Sequence, residues 1–361
     1  MADVATMERD EIVSRIREAG VAGAGGAGFP SYAKWEHLDD VNYFLMNHEE
    51  SEPNYYSDKW LAREHPDVFA DLFSGLLEAA FAAVVVGAKE TYRDEWHRPL
   101  EEATGATVYG QDDLPVDMEE ASGVSFAYTD DVYDFSEEQV LLMIAVGERV
   151  GRDLPTDHGW LVHNTESMHN VARALTDGTP VTRKYVHVDG DTPEHRCLDV
   201  PIGTTAADLL AEAGLEAGDL PDDAVLADGG PGWCYEIDEP PAEFGTRKRT
   251  NAVLVLGREE VDEHTEMEDR INVLEARDWH DRDHETEPAT FEPDHVRIPL
   301  VTNAAYEGLV GPSEPVVAAG DAVSVGEVVA EPAAEGISIP QHASIDGEVA
   351  EVTDTHVVVE R

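Results

Sequence analysis

Four glycines within six positions, Gly23-Ala24-Gly25-Gly26-Ala27-Gly28, lead into Phe29-Pro30 and then Lys34-Trp35. A backbone with so little Cβ shielding can turn successive N–H groups toward an anion, and Lys34 brings a cation to the same point. The spacing Gly23-x-Gly25-x-x-Gly28 fits the dinucleotide fingerprint formally, but that motif needs a strand before it. Here Glu11 to Ala19 reads as an amphipathic helix ending at Gly20. The loop is therefore expected to bind an anion without forming a Rossmann turn. Phe29-Pro30 and Lys34-Trp35 argue against a flexible linker, whose composition is Gly and Ser.

Three further segments carry groups of matching chemistry. Val41 to Met46 reads as a buried strand that delivers Asn47, Glu49, Glu50 and Glu52 beyond its end, where α/β folds collect ligands. Tyr133-Asp134-Phe135-Ser136-Glu137-Glu138 opens the helix Ser136 to Val146, and His163-Asn164-Thr165-Glu166 leaves the strand Gly159 to His163. Carboxylates and amides pair with ribityl and ribose hydroxyls and with the polar edge of an isoalloxazine, and Phe29 or Tyr133 could cover a stacked ring. In a chain this acidic the competing reading of Glu49-Glu50-Ser51-Glu52 is solvated surface; metal binding by the same carboxylates is a third.

Strands and helices alternate around these segments, with helices at Pro66–Phe81, Tyr92–Ala103 and Ser167–Leu175 and strands at Val84–Gly87 and Val124–Tyr128. That alternation predicts an α/β domain over residues 1–178. Val181–Asp189 and Arg196–Val200 then read as a hairpin, Thr204 as the cap of a helix Thr205–Ala213, and Ala224–Ala227 and Ala252–Leu256 as strands. The pattern suggests a β-grasp domain over 179–258. Residues 259–294 read as an acidic linker with one helix, Met267–Ala276, and with His280 and His284 on a solvated spacer rather than a metal site. Residues 295–361 show short Val- and Gly-rich strands and a quasi-repeat, the pattern of an all-β barrel-sandwich hybrid. The segment lacks lysine, so it cannot be a lipoyl-type carrier.

Gly23 to Trp35 resembles the G-x-G-G-A-G-F-P-T-x-x-K-W loop of the complex I flavoprotein subunit and of the Rnf complex C subunit. Asn47 to Pro53 is similar to the N-x-x-E-x-E-P segment of those families, Tyr133 to Leu142 to Y-x-x-G-E-E-x-x-L-L, and Val162 to Ser167 to N-N-V-E-T. The order of β-grasp and terminal barrel-sandwich is similar to that of Rnf-C-like corrin reductases. The resemblance implies FMN held by Gly25, Gly26, Lys34, Asn47, Glu49, Glu50, Tyr133, Glu138 and Asn164, with Phe29, Glu52 and Glu137 facing NADH. It implies an NADH dehydrogenase subunit in which hydride passes from NADH to FMN. NADH is favoured over NADPH because Glu52 would repel a 2′-phosphate. Ser136 stands where the family has glycine, and Ala24 where complex I has arginine. Relatives carry C-x-x-C-x-x-C downstream of the β-grasp; residues 259–294 contain no cysteine, so no iron–sulfur cluster is expected here. Electrons would leave for a separate iron–sulfur or membrane electron-transfer subunit. A non-redox scaffold that binds a corrinoid or a partner, and a stand-alone flavin reductase, are the alternatives.

Composition sets the surroundings. The chain of 361 residues carries 77 acidic and 24 basic side chains, a formal net charge of −53. Five of the basic residues are lysine, and the preference for arginine in so acidic a chain reads as adaptation to high intracellular salt. The same charge disfavours nucleic acid and anionic membrane surfaces. Cys197 and Cys234 stand alone, as core thiols in a reducing compartment do. The acidic N-terminus does not resemble a signal peptide, and the most apolar run, Ala79–Ala88, is too short for membrane insertion, so a cytoplasmic protein, free or peripheral to a membrane complex, is expected. Raising salt from 0.1 M to 1 M shortens the screening length from about 10 Å to about 3 Å. The thermal midpoint is accordingly expected to climb steeply with KCl over that range; a flat calorimetric profile would refute the salt adaptation.

Overall fold

The structure, a computed structural model, describes residues 3–266, 269–303, 306 and 308–361. Its chain forms two compact units. The first comprises Met1–Val21, Ser31–Ser51 and Asp58–Thr179; the second comprises Ala22–Pro30, Glu52–Ser57 and Pro180–Arg361.

The first unit alternates helices and strands: α1 (Arg9–Glu18), α2 (Ser31–Trp35), β1 (Tyr43–Asn47), α3 (Ser57–Glu64), α4 (Pro66–Ala79), β2 (Ala83–Lys89), α5 (Arg98–Thr104), β3 (Thr107–Tyr109), β4 (Gly123–Thr129), α6 (Glu138–Val146), β5 (Trp160–Asn164) and α7 (Thr165–Asp177). The strands lie in the order β3-β4-β2-β1-β5, and every pairing is parallel. A parallel sheet covered on both faces reads as an unbroken apolar run. Phe44-Leu45-Met46 of β1 and all seven residues of β2 are accordingly buried. Phe44 packs against Phe73 of α4 and against Phe81. Gly87 lets α6 settle on the sheet, because a Cβ there would stand 2.8 Å from Leu141.

Shared strand direction puts the last residues of β1, β2, β4 and β5 on one edge: Asn47, Lys89, Thr129 and Asn164. Local chemistry completes that edge. Asn164 caps α7 by accepting from the Ser167 amide, and Gly178 ends the same helix at φ 66°. A 3-10 turn, Tyr133–Ser136, leads into α6. The expected helix Tyr92–Ala103 is present as a π-helical turn over Arg93–His97 that continues without a break into α5. Pro99, in the first turn of α5, has no amide to donate.

The second unit contains β6 (Arg183–Gly190), β7 (Arg196–Pro201), α8 (Ala206–Glu212), β8 (Ala224–Gly230), β9 (Trp233–Glu236), β10 (Ala252–Gly257), α9 (Arg258–His264) and β11 (Ala289–Thr290). Their sheet order is β11-β7-β6-β10-β8-β9, with β6 and β10 parallel at the centre of antiparallel neighbours. This is a β-grasp arrangement, with Leu209 and Leu210 of α8 in one core with Val186, Leu198, Val253 and Val255. The helix cap is Thr205 rather than the expected Thr204. Thr205 Oγ1 accepts from the Asp208 amide at 3.1 Å, whereas Thr204 donates to the Pro201 carbonyl at 2.7 Å.

Residues 259–294 are more structured than the expected spacer. They include most of α9 and all of β11, and Trp279 is buried with its indole N–H donating to the Val273 carbonyl at 3.0 Å. In place of the expected helix, residues 269–276 hold β-bridges from Ile271 to Cys234 and Thr265 and a turn over 274–276; its first two positions, Met267 and Glu268, lie outside the described residues. His284 is not solvated: its side chain is 5% exposed and its ring centroid lies 4.6 Å from that of His195.

The C-terminal region is all β: β12 (His295–Pro299), β13 (Glu314–Pro315), β14 (Ala322–Val323), β15 (Val328–Glu331), β16 (Gln341–His342), β17 (Gly347–Val352) and β18 (His356–Glu360). Two antiparallel sheets, β12-β18-β17-β14 and β13-β15-β16, enclose Val296, Ile298, Val329, Ile345, Val357 and Val359 as a barrel-sandwich hybrid. Among the described residues no helix is long and apolar enough to cross a membrane. Replacing the fully buried Phe44 leaves a void between α4 and the parallel sheet. Phe44→Ala is expected to cost about 3–5 kcal/mol in urea unfolding, and a loss under about 1 kcal/mol would contradict the packing described.

Candidate functional site

The first unit carries most of the sequence-predicted set on or beside its carboxyl edge. The ammonium of Lys34, on α2, donates to Glu138 Oε2 at 2.9 Å and to the Val162 carbonyl at 3.2 Å. Trp35 beside it is fully buried, and its indole N–H donates to His163 Nε2 at 2.9 Å. Desolvation holds that imidazole far below its ordinary pKa, with the Lys34 charge adding to the effect, so it remains a neutral acceptor. Asn47 reaches the next segment, its Nδ2 donating to the Ser136 carbonyl at 2.6 Å. The Ser136 hydroxyl turns back to donate to the Tyr133 carbonyl at 2.7 Å, so the group that replaces the family glycine is absorbed in its own turn. Asn164 Oδ1 accepts from Ser167, and Asp58 at the start of α3 accepts from the Glu166 amide at 2.9 Å.

Glu49 and Glu50 are buried, which removes the solvated-surface reading. Glu49 Oε1 accepts from the Thr129 hydroxyl at 2.7 Å, while Oε2 is buried without a hydrogen-bond partner. Burial pushes the Glu49 carboxyl up to about 8, with the neighbouring Glu50 adding to the shift, so it is largely protonated at neutral pH. Glu50 sits between two cations, with Oε1 3.3 Å from Lys59 Nζ and Oε2 3.9 Å from Lys89 Nζ. Lys59 in turn lies 3.8 Å from the centroid of the Tyr92 ring, and Lys89 3.9 Å from that of Tyr133. Desolvation lowers the Lys59 pKa, and Glu50 counteracts it. Glu50 Oε2 and Lys89 Nζ are buried without hydrogen-bond partners. Glu137 is exposed beside this cluster in sequence, at the mouth of α6. Lys59, Lys89 and Thr129 carry no mark in the sequence, where both lysines follow Glu50, 9 and 39 positions on.

Gly25, Gly26, Phe29 and Glu52 belong to the second unit. The glycine loop closes on itself: the Gly23 amide donates to the Phe29 carbonyl and the Gly28 amide to the Gly23 carbonyl, both at 2.9 Å. Gly25 and Ala27 are exposed at its tip, with Gly26 half-buried between them. Gly28, at φ 64°, has no room for a Cβ, which would lie 2.9 Å from the Thr302 carbonyl oxygen and 3.1 Å from Arg249 Cβ. Asn303 Nδ2 donates to the Ala27 carbonyl at 2.8 Å, and Phe29 meets Tyr306 edge-on at 5.5 Å. Glu52 is buried under the β8–β9 turn, where its carboxylate fills the space above Gly230 and accepts from the amides of Gly232 and Trp233. Burial outweighs those two bonds and pushes its pKa up to about 8.

The edge of the parallel sheet therefore presents buried acceptors, a buried cation and amide side chains. These can bind a polar-edged planar ligand with hydroxyls. Among the described residues no group of three or more His, Cys, Asp or Glu is placed to hold a metal ion.

Comparison with known proteins agrees with this chemistry. Residues 16–173 match the family described as the Nuo51 FMN-binding domain, and residues 289–361 match the RnfC barrel-sandwich hybrid domain. The chain is 32% identical over 276 residues to the cobalamin reductase PduS of Salmonella typhimurium, covering 74% of this chain and 55% of the relative. It is 28% identical to the C subunit of the ion-translocating oxidoreductase complex of Erwinia tasmaniensis, over 72% of this chain and 30% of that one. It is also 28% identical to the F subunit of the NADH-quinone oxidoreductase of Escherichia coli, over 56% and 52% respectively. The chain thus spans about half or less of the length of these curated relatives. An NAD+-reducing NiFe-hydrogenase crystal structure shares the fold, with TM-score 0.55 and 21% identity over 72% of this chain and 49% of that one. The protein belongs to the family that unites the complex I FMN-binding flavoprotein subunit with the Rnf complex C subunit.

Proposed function

We propose that this chain binds FMN at the carboxyl edge of its parallel sheet, accepts reducing equivalents from NADH there, and hands electrons to a separate iron–sulfur or quinone-linked protein. The observation that carries this reading is a buried polar cluster, Glu49, Glu50 and Lys89, within the span that matches an FMN-binding domain, in which Glu49 Oε2 has no hydrogen-bond partner. A buried polar atom left unsatisfied costs about 1–3 kcal/mol, so such a cluster suits a ligand with both donors and acceptors. A flavin's ring edge and ribityl hydroxyls offer both.

When bound, FMN supplies the chemistry, taking two electrons together and releasing them singly. The chain's own task is binding, alignment and electrostatics. Gly25 and Gly26 offer amides to a phosphate, and Lys34 adds a cation that Glu138 orients. Asn47, Glu49, Glu50 and Asn164 address the ring edge and hydroxyls, and Tyr133 covers the ring. Glu49, kept protonated by burial, can donate as well as accept. Phe29 and Glu137 are assigned to the nicotinamide side. Glu52 is assigned there too, and in its present place under the β8–β9 turn it first contributes to the fold of the second unit. A position peripheral to a membrane complex belongs to the same reading. The cysteine-free stretch 259–294 favours one variant, a flavin reductase that passes electrons straight to a quinone or corrinoid.

Purified protein titrated with FMN is expected to turn yellow and quench flavin fluorescence, and anaerobic NADH is expected to bleach it. Protein that ignores FMN in high salt would defeat the proposal and leave the scaffold alternative standing, and assays with quinone, corrinoid and ferredoxin acceptors separate the variants. Glu52 gives a pH test of its own. Its folded pKa of about 8 lies above the unfolded value, so the folded state holds the extra proton between the two. The stability this provides is complete below about pH 4.5 and is lost as pH rises through about 8. Glu52→Gln is expected to flatten the fall in thermal midpoint between pH 6 and 9, and parallel curves for the two proteins would contradict the assignment.

A further inference from the structure

Lys89, the last residue of β2, is marked neither by the sequence motifs nor by the family likeness, yet it touches two residues that are. It is fully buried, with Nζ 3.9 Å from the Tyr133 ring centroid and 3.9 Å from Glu50 Oε2. Asp131, two residues before Tyr133, is half-exposed, with its Oδ1 3.2 Å from the same ammonium. Glu50 is shared with a second buried cation, Lys59, at 3.3 Å. Two lysines thus share one fully buried carboxylate, and Lys89 also pairs with the half-exposed Asp131. A desolvated ammonium so placed acts on its neighbours at close range.

We propose that Lys89 is a positioning residue of the flavin site: it draws the loop 131–136 onto Glu50 and sets a positive potential where the ring lies. The inference rests on the FMN reading for its ligand, though not for the loop. Three contacts converge on one Nζ, from the end of β1, the start of the loop and the Tyr133 ring, so the cation fixes how far Tyr133 stands from Glu50. A flavin gains electron density on reduction, and a fixed cation in a site sheltered from water favours that change.

The test uses the full chain with Lys89→Met and Lys89→Arg. In flavin-free protein, amide exchange across residues 131–136 is expected to quicken about tenfold or more in Lys89→Met and to stay near wild type in Lys89→Arg. With FMN added, Lys89→Met is expected to bind about tenfold more weakly and to hold a flavin of more negative midpoint potential, while Lys89→Arg keeps both close to wild type. Wild-type exchange together with wild-type affinity and potential in Lys89→Met would overturn the proposal. Wild-type protein that fails to bind FMN would overturn the functional reading instead, and the exchange comparison would still decide whether Lys89 holds the loop. Should Lys89→Met fail to fold, Tyr133→Leu removes the ring and keeps the cation; unchanged exchange across 131–136 in that variant would likewise refute the role.

Discussion

The parallel direction of β1, β2, β4 and β5 is the constraint on which the candidate site depends. Because these strands run the same way and are buried on both faces, their carboxyl ends fall on one edge whatever the connecting helices do. Asn47, Lys89, Thr129 and Asn164 are collected there by topology alone, and the segments that follow them inherit that placement. Side chains far apart in sequence can then share partners: Glu49 with Thr129, Asn47 with the Ser136 carbonyl, and Lys34 with Glu138.

That edge tolerates unusual electrostatics because the rest of the unit is so thoroughly apolar. Glu49 keeps its proton, Lys59 is pushed toward losing one, and His163 stays neutral, each chiefly because water is excluded. The surface behaves in the opposite way. A few of its carboxylates are paired with arginine, as Glu236 is with Arg258, whose planar guanidinium grips a carboxylate with two nitrogens. Lysine appears where a compact charge on a long stem must reach inward: Lys59, Lys89, Lys184 and Lys248 are all buried.

Much of this was legible in the sequence because apolar runs and turn residues report local geometry. Val84–Gly87 and Val124–Tyr128 were visible as strands, and Asn47, Glu50 and Asn164 could be placed just beyond strand ends. Pairings between distant side chains left no such trace. Lys89 follows a strand in the sequence without showing that Tyr133 and Asp131 would come to it. Acidic composition also misled, since Glu49, Glu50 and Glu52 look like surface residues and are buried. The stretch 259–294 carries the same acidic texture, yet it places Trp279 in a core with Leu254 and Val273. One well-placed tryptophan outweighed the surrounding charge.

The glycine loop has a consequence for how this fold can be divided. Its close contacts at Gly28 are with Arg249, Thr302 and Asn303, far along the chain, and Ala27 is tethered to Asn303. The span 16–173 that defines the flavin-binding family therefore does not contain all the residues that shape its own signature loop. Cutting this polypeptide at the apparent end of the α/β region would detach the loop from its scaffold, and inheritance of one part without the other would leave the motif spelled correctly but unsupported.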